Sequence, residues 1–308
     1  LHFFLPCLEN KCFIARFTAH PGHIPARERI TIYCRFSGQG ARPLLKEGLP
    51  LIYSMVITRK AKSAIFLLAS LLAILAVCKL FQNSSESAVT GIQKRLVPIY
   101  YVDTEEKKIA ISFDASWGAE HTPKILEILR ENNLKTTFFL TGFWIDKYPD
   151  LVKQIAAEGH ELGNHTATHP HLNTLDKNAI KEELKKVHAS LYELTGQEPF
   201  LFRAPFGEYS NKVIEAAGEL NYFTIQWSVD SLDWRDLSKQ EIVSRVTGQL
   251  HPGAIVLFHN NGTHTAAALP EILAFAKKKG YEIVPVSELI YKDNYYIDSS
   301  DGAQKKSS

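Results

Sequence analysis

Two histidines four residues apart, His165 and His169 in "GNHTATHPH", are the side chains best suited to share a cation. Neutral imidazole binds zinc, cobalt, nickel and iron. On a helical turn, a spacing of four brings both rings to one side. Other reactive groups are scattered along the chain: Asp114 in "IAISFDASWG", Arg203 in "FRAPFGEY", Asp230 and Asp233 in "SVDSLDW", and His259 in "AIVLFHN". A carboxylate beside a metal-bound water can take its proton at neutral pH, which makes Asp114 a candidate base. Its alternative role as a helix cap is disfavoured, because the next helical pattern starts eight residues later at Thr122. Arg203 is always charged and at a strand end wants an anion, either as a structural ion pair or to keep Asp114 ionised. Asp233 could hold one ring nitrogen of His259, fix its tautomer and raise its pKa, as suits an acid that protonates a leaving amine. His259 also reads as a satisfied core histidine or a third metal ligand, and Asp230 reads equally well as a turn cap. Trp234 and Leu257 could wall an apolar pocket the size of a methyl group. The inventory suits metal-assisted hydrolysis.

Each polar cluster follows or ends a short apolar run, as residues do at the rim of an α/β sheet. Candidate strands are 108–113, 135–140, 160–165, 200–204, 222–227, 254–259 and 281–286. Helical patterns lie between them. One has Thr122 as its N-cap and Pro123 at the first helical position. Another places Leu151, Ile155 and Ala156 on one face and stops at Gly159. A third carries Ile180, Leu184, Val187, Leu191 and Leu194 at helical spacing and stops at Gly196. Strand–helix alternation predicts a mainly parallel sheet of about seven strands, closed or nearly closed into a barrel. The tail from about Asp293 is polar and is expected to fray.

The 308 residues suffice for one sizeable core plus appendages. Net charge is +2, yet residues 82–308 carry 24 Lys and Arg against 30 Asp and Glu. An acidic body argues against nucleic acid as a partner. The cysteines, Cys7, Cys12, Cys34 and Cys78, all precede the candidate strands, which excludes a thiol nucleophile or disulfide there. The single methionine, Met55, is followed by the basic "VITRKAKS" and then by "AIFLLASLLAILAVC". That is the layout of a signal anchor over residues 55–81, with a cleaved signal and a lipid anchor at Cys78 as lesser alternatives. It places the body outside the cytoplasm, held to the membrane. Residues 1–54 read as an over-extended or disordered N-terminus, 82–106 as a linker, 107–290 as the catalytic body and 291–308 as a polar tail.

Taken in order, the five motifs resemble those of the polysaccharide deacetylases, the family of the NodB-homology domain (carbohydrate esterase family 4), over about residues 107–290. The "FDASWG" segment resembles a sporulation-associated branch. The resemblance implies a distorted (β/α) barrel and a divalent metal. It also implies removal of acetyl groups from N-acetylated glycans, here cell-wall peptidoglycan. By position it makes Asp114 the base, His165 and His169 metal ligands, Arg203 the residue that orients the base, Asp233 the one that tunes the acid, and His259 the acid. Trp234 and Leu257 match the acetate pocket, and the Phe206 backbone N–H would help hold the oxyanion. The family usually carries a second Asp after the base as third metal ligand; here that position is Ala115. The metal (zinc, or cobalt, nickel or manganese) is therefore expected to be held weakly unless Glu120, His121, His264, water or Asp114 substitutes.

Two other readings compete. A family member that has lost its metal would bind glycan or support spore-envelope assembly, and Ala115 favours it. A glycoside hydrolase would use Asp114 and Asp233 as its carboxylate pair but leave the two histidines without a purpose.

Overall fold

The computed structural model describes residues 13–17, 29–34, 55–56, 63, 67–79 and 95–307. The chain divides into two compact units at about residue 93. In the first, strand β1 (Phe13–Phe17) pairs antiparallel with β2 (Arg29–Cys34), which pairs antiparallel with β3 (Met55–Val56). Residues 67–79 form helix α1, with Leu67, Leu71 and Leu75 each more than half exposed. Among the described residues no helix is long and apolar enough to cross a membrane. Most of the expected anchor's flanks lie outside the described residues.

The second unit is an α/β half-barrel. Its strands are β4 (Tyr101–Val102), β5 (Lys108–Ala115), β6 (Thr137–Leu140), β7 (Glu161–Asn164), β8 (Leu201–Phe202), β9 (Phe223–Thr224), β10 (Val229–Asp230), β11 (Ile255–His259) and β12 (Glu282–Val284), followed by β13 (Tyr295–Ile297) and β14 (Ala303–Lys306). Seven run in the order β10-β11-β5-β6-β7-β8-β9, and β12 joins the first residues of β5. Every pair in this sheet is parallel. Strand β10 is not among the expected strands; unlike the equally short β8 and β9, it lies in a polar segment, "SVDSLDW", with no apolar run to mark it.

Helices alternate with the strands: α2 (Thr122–Glu131), α3 (Gly142–Lys147), α4 (Pro149–Ala157), α5 (Lys177–Thr195), α6 (Asn211–Gly218), α7 (Lys239–Gln249), α8 (Thr265–Lys278) and α9 (Val286–Leu289). Local chemistry sets their ends. The Asp176 side chain caps α5 by accepting from the Ala179 N–H, and Gly196 ends it in the left-handed conformation at φ 71°. Ser238 and Glu241 form a reciprocal capping box on α7. The cap of α2 is His121 rather than Thr122, which sits inside the first turn with Pro123 and is fully buried. Burial draws the threonine in, where its hydroxyl accepts from Asn260 Nδ2 at 3.1 Å.

Strand β5 is buried on both faces, so its apolar run is nearly continuous. Alternation sends Ile109, Ile111 and Phe113 toward the cluster that also holds Ile125 and Leu129 of α2. Phe113 stacks there on Phe138 at 4.9 Å. On the other face, Ala110 joins Phe139, Leu201, Ile225 and Ile255 in a second cluster.

Close packing on this inner face requires Gly163. A Cβ at that position would run into the Phe139 ring of the neighbouring strand. Gly163→Ala is expected to destabilise the fold by about 1–3 kcal/mol through overpacking. A thermal melt would show a lowered midpoint, and an unchanged midpoint would refute the argument.

Two segments depart from the sequence expectations. The polar tail does not fray: β13 and β14 form an antiparallel hairpin, and β14 pairs with β4. Gln304, fully buried, bonds both the N–H and the carbonyl of Tyr291. The linker assigned to 82–106 ends earlier than expected. The Ile99 N–H donates to Thr224 of β9, and the Val102 N–H to Gly253 just before β11. Residues 99–102 therefore tie the far edge of the sheet to its centre. Both segments were read as polar and unstructured because their pairing partners lie far away in the chain.

Candidate active site

The C-terminal ends of the strands surround a cavity of about 580 Å³. Seven of the nine residues proposed from sequence line it: Asp114, His165, His169, Phe206, Trp234, Leu257 and His259. The other two, Arg203 and Asp233, stand behind Asp114 and His259 and hold them. Glu120, His121 and His264, expected as substitute metal ligands, do not line the cavity. Glu120 instead accepts from the Ala119 N–H at 3.0 Å, within its own turn.

Register couples the two reactive groups. Strands β5 and β11 are neighbours, and Asp114 is paired with His259. Arg203, fully buried, donates from Nη1 to Asp114 Oδ1 at 2.7 Å, and from Nη2 to Ser112 Oγ and the Gln226 carbonyl. Its guanidinium lies 4.1 Å from the Phe139 ring centroid. Burial alone would raise the Asp114 pKa. The Arg203 charge, with smaller contributions from His165 and His259, outweighs it and holds the carboxyl below its ordinary value.

His259 is oriented from the opposite side. Its Nδ1 lies 2.7 Å from Asp233 Oδ1, and its backbone N–H donates to Asp233 Oδ2 at 2.8 Å. Thr265 donates its hydroxyl to the same Oδ2 at 2.6 Å. Burial pulls the imidazole pKa down, but the bond to Asp233 and its charge prevail and raise it. Among the described residues the Asp233 carboxylate bonds to His259 and Thr265, and it does not line the cavity. This argues against the two-carboxylate glycosidase reading. Asp230 does line the cavity, while its Oδ1 accepts from the Leu232 N–H at 2.9 Å, so the turn-cap reading also holds.

His165 and His169 meet with ring centroids 5.0 Å apart. The helical turn expected of their spacing is absent. They sit on a loop in which Thr166 (φ 70°) and His169 (φ 55°) are both left-handed. Such a backbone is unfavourable for non-glycine residues and persists only where surroundings impose it. Here Asn164 Oδ1 accepts from the Thr166 N–H, and Thr166 Oγ1 accepts from the His169 N–H.

The electrostatics around these rings favour a cation. His165 Nδ1 lies 2.8 Å from the Arg203 carbonyl, which can only accept, so Nδ1 carries the hydrogen. Burial lowers the His165 pKa, which favours the neutral ring. Its Nε2 lone pair then faces Asp114 Oδ2 at 3.5 Å, one acceptor against another. His169 is likewise driven toward neutrality, to about 4, by burial and then by the nearby His165, and its buried Nδ1 has no hydrogen-bond partner. Two neutral imidazoles beside an ionised carboxylate fit a divalent cation. A third protein ligand is missing. Ala115 is fully buried in the apolar cluster with Leu140 and Trp144, and among the described residues no group of three or more His, Cys, Asp or Glu side chains could hold a metal.

Five cavity residues were not among the expected site residues: Ser116, Trp117, Gly207, Trp227 and Asn261. Trp227 ends the 222–227 run as the other site residues end theirs, so its position was a usable signal. Its ring lies 5.7 Å from the Arg203 guanidinium.

The polysaccharide deacetylase family profile matches residues 101–225. A peptidoglycan-N-acetylglucosamine deacetylase of Bacillus cereus is 38% identical over 208 residues, covering 65% of this chain and 97% of the relative. The chain belongs to the polysaccharide deacetylase family. Members of this deacetylase family are hydrolases of amide bonds. The peptidoglycan-N-acetylmuramic acid deacetylase PdaA of Bacillus subtilis is 34% identical over 204 residues, covering 65% of this chain and 78% of its own. Across the first four curated relatives, the chain spans between 60% and 97% of the relative's length. Among solved structures, wild-type BA3943 of Bacillus anthracis, described as a CE4 family pseudoenzyme, has 34% identity and a TM-score of 0.61, covering 63% of this chain and 68% of that one. A mutant of that protein is described as having restored enzymatic activity.

Proposed function

We propose that the protein removes N-acetyl groups from cell-wall polysaccharide, with acetylated peptidoglycan as the substrate class. The observation that carries the reading is the lateral pairing of Asp114 with His259, each braced from behind, across a cavity lined by His165 and His169. Asp114, kept ionised by Arg203, takes a proton from water as its oxygen attacks the acetamide carbonyl carbon. The Phe206 backbone N–H contributes a donor to the developing oxyanion. As the tetrahedral carbon collapses, the carbon–nitrogen bond breaks and protonated His259 gives its proton to the departing sugar amine. Acetate is the other product. Trp234 and Leu257 enclose the acetyl methyl group. A divalent cation held by His165 and His169 would supply Lewis acidity to this chemistry. The test is acetate release from purified peptidoglycan with zinc, cobalt, nickel or manganese added. No acetate with any of them would overturn the reading.

Ala115 favours a second reading, a degenerate member that binds glycan without cutting its amides. Ala115→Asp separates the two. If the vacant ligand position limits the enzyme, the variant holds more metal per chain and releases acetate at least about tenfold faster, a barrier change of about 1.4 kcal/mol. Loss of folding stability with no gain in metal would count against this. The proposal places the protein outside the cytoplasm, held to the membrane through residues 55–81. Membrane fractionation of the chain with and without that segment reads this out. A role in sporulation rests on the "FDASWG" segment.

A further inference from the structure

Two indoles stand exposed at the cavity: Trp117, 57% exposed, and Trp234, 58%. They flank the reactive pair. Trp234 follows β10, at one edge of the sheet, while Trp117 leans toward the β6–β7 side. Its ring lies 6.0 Å from Phe143 and 4.8 Å from His169, edge-on to the histidine. In sheet order, the paired Asp114 and His259 lie between the two. An indole left in water keeps a large apolar face unburied. Pyranose rings present a complementary face of C–H groups.

The turn carrying Trp117 is clamped from beneath. The carbonyl of the next residue, Gly118, accepts from Trp144 Nε1 at 2.7 Å and from Asn260 Nδ2 at 2.8 Å. Trp144 and Asn260 are fully buried. The backbone that carries the indole is therefore fixed before any ligand arrives, which lowers the ordering cost of binding.

We propose that Trp117 is a stacking platform for the sugar ring adjacent to the one whose acetamide is cut, so that the site selects an oligomeric glycan over a single sugar. This rests on the deacetylase reading. The role is one of specificity: Trp117 exchanges no proton and its ring carries no charge.

The test compares N-acetylglucosamine with its pentamer, using the full chain and Trp117→Ala and Trp117→Phe variants. In the parent, KM falls as the chain lengthens. Trp117→Ala raises the pentamer KM about tenfold at nearly constant kcat, as loss of an aromatic anchor does, and flattens the dependence on length. Trp117→Phe recovers part of the loss. A parent KM independent of length would overturn the proposal. So would an equal loss on monomer and pentamer, or a fall in kcat accompanied by lost metal, since Trp117 would then act through His169. Calorimetry with the glucosamine pentamer, which has no acetyl group to lose, reports on the platform without chemistry. If the parent releases no acetate yet binds this pentamer about tenfold more tightly than Trp117→Ala, the platform stands and the deacetylase reading falls. If the parent does not bind it, the platform falls.

Discussion

Asp114→Asn is expected to lower the rate of acetate release by about 10³-fold, within the range that a general base contributes. The same change is expected to destabilise the fold. Arg203 is fully buried, and among the described residues Asp114 is its only carboxylate ion-pair partner. Removing the carboxylate leaves a guanidinium without its counter-charge, which costs about 3–5 kcal/mol. The two effects are separable. In Asp114→Asn/Arg203→Met the buried charge is gone, so the midpoint of thermal unfolding should recover while acetate release stays lost. If the double variant regained activity, Asp114 would not be the base. The stability effect also has a sign in pH. Because the folded pKa of Asp114 is depressed, its contribution is complete above the unfolded value, about 3.9, and fades as pH falls through the folded value. Parent and variant should therefore converge in strong acid.

The second large effect is expected at Asp233. Asp233→Asn removes the charge that outweighs burial and raises the His259 pKa. The proposed acid must be protonated, so activity falls as pH rises through that pKa. In the variant the alkaline limb of the rate profile should shift to lower pH, with the maximal rate down by about 10²–10⁴-fold. The amide could also turn its NH₂ toward Nδ1 and impose the other tautomer. An alkaline limb that stays in place would remove Asp233 from this role. The stabilising contribution of His259 is fully present below its unfolded pKa, about 6.5, and is lost as pH rises through the raised folded value. The variant should accordingly lose more stability at pH 5 than at pH 9.

Both predictions combine side-chain types readable in the chain with distances that only the fold supplies. Asp114 ends an apolar run, and so does His259, which marks each as a rim residue. Nothing local says that their strands are neighbours, since β5 leads into α2 and β11 into α8. Arg203 was expected to want an anion. Asp114 was the partner expected on functional grounds, but the full burial of the guanidinium above Phe139 depends on the room Gly163 leaves for that ring. The spacing of His165 and His169 pointed to convergence for the wrong reason: a left-handed loop does what a helical turn was expected to do. The polar tail misled in the opposite sense, because hairpin pairing with β4 is a partnership between residues about 200 apart.

What the chain carries in its own order is the alternation of apolar runs and helical faces, the caps at Asp176, Gly196 and Ser238, and the types of the reactive side chains. These are local, since propensity, capping and period act within a few residues. The register of β5 against β11, the left-handed backbone at His169, the closure by residues 99–102 and the bracing of both reactive groups were decided by packing. They arise where distant segments compete for the same buried space, and that competition has no signature within any one segment.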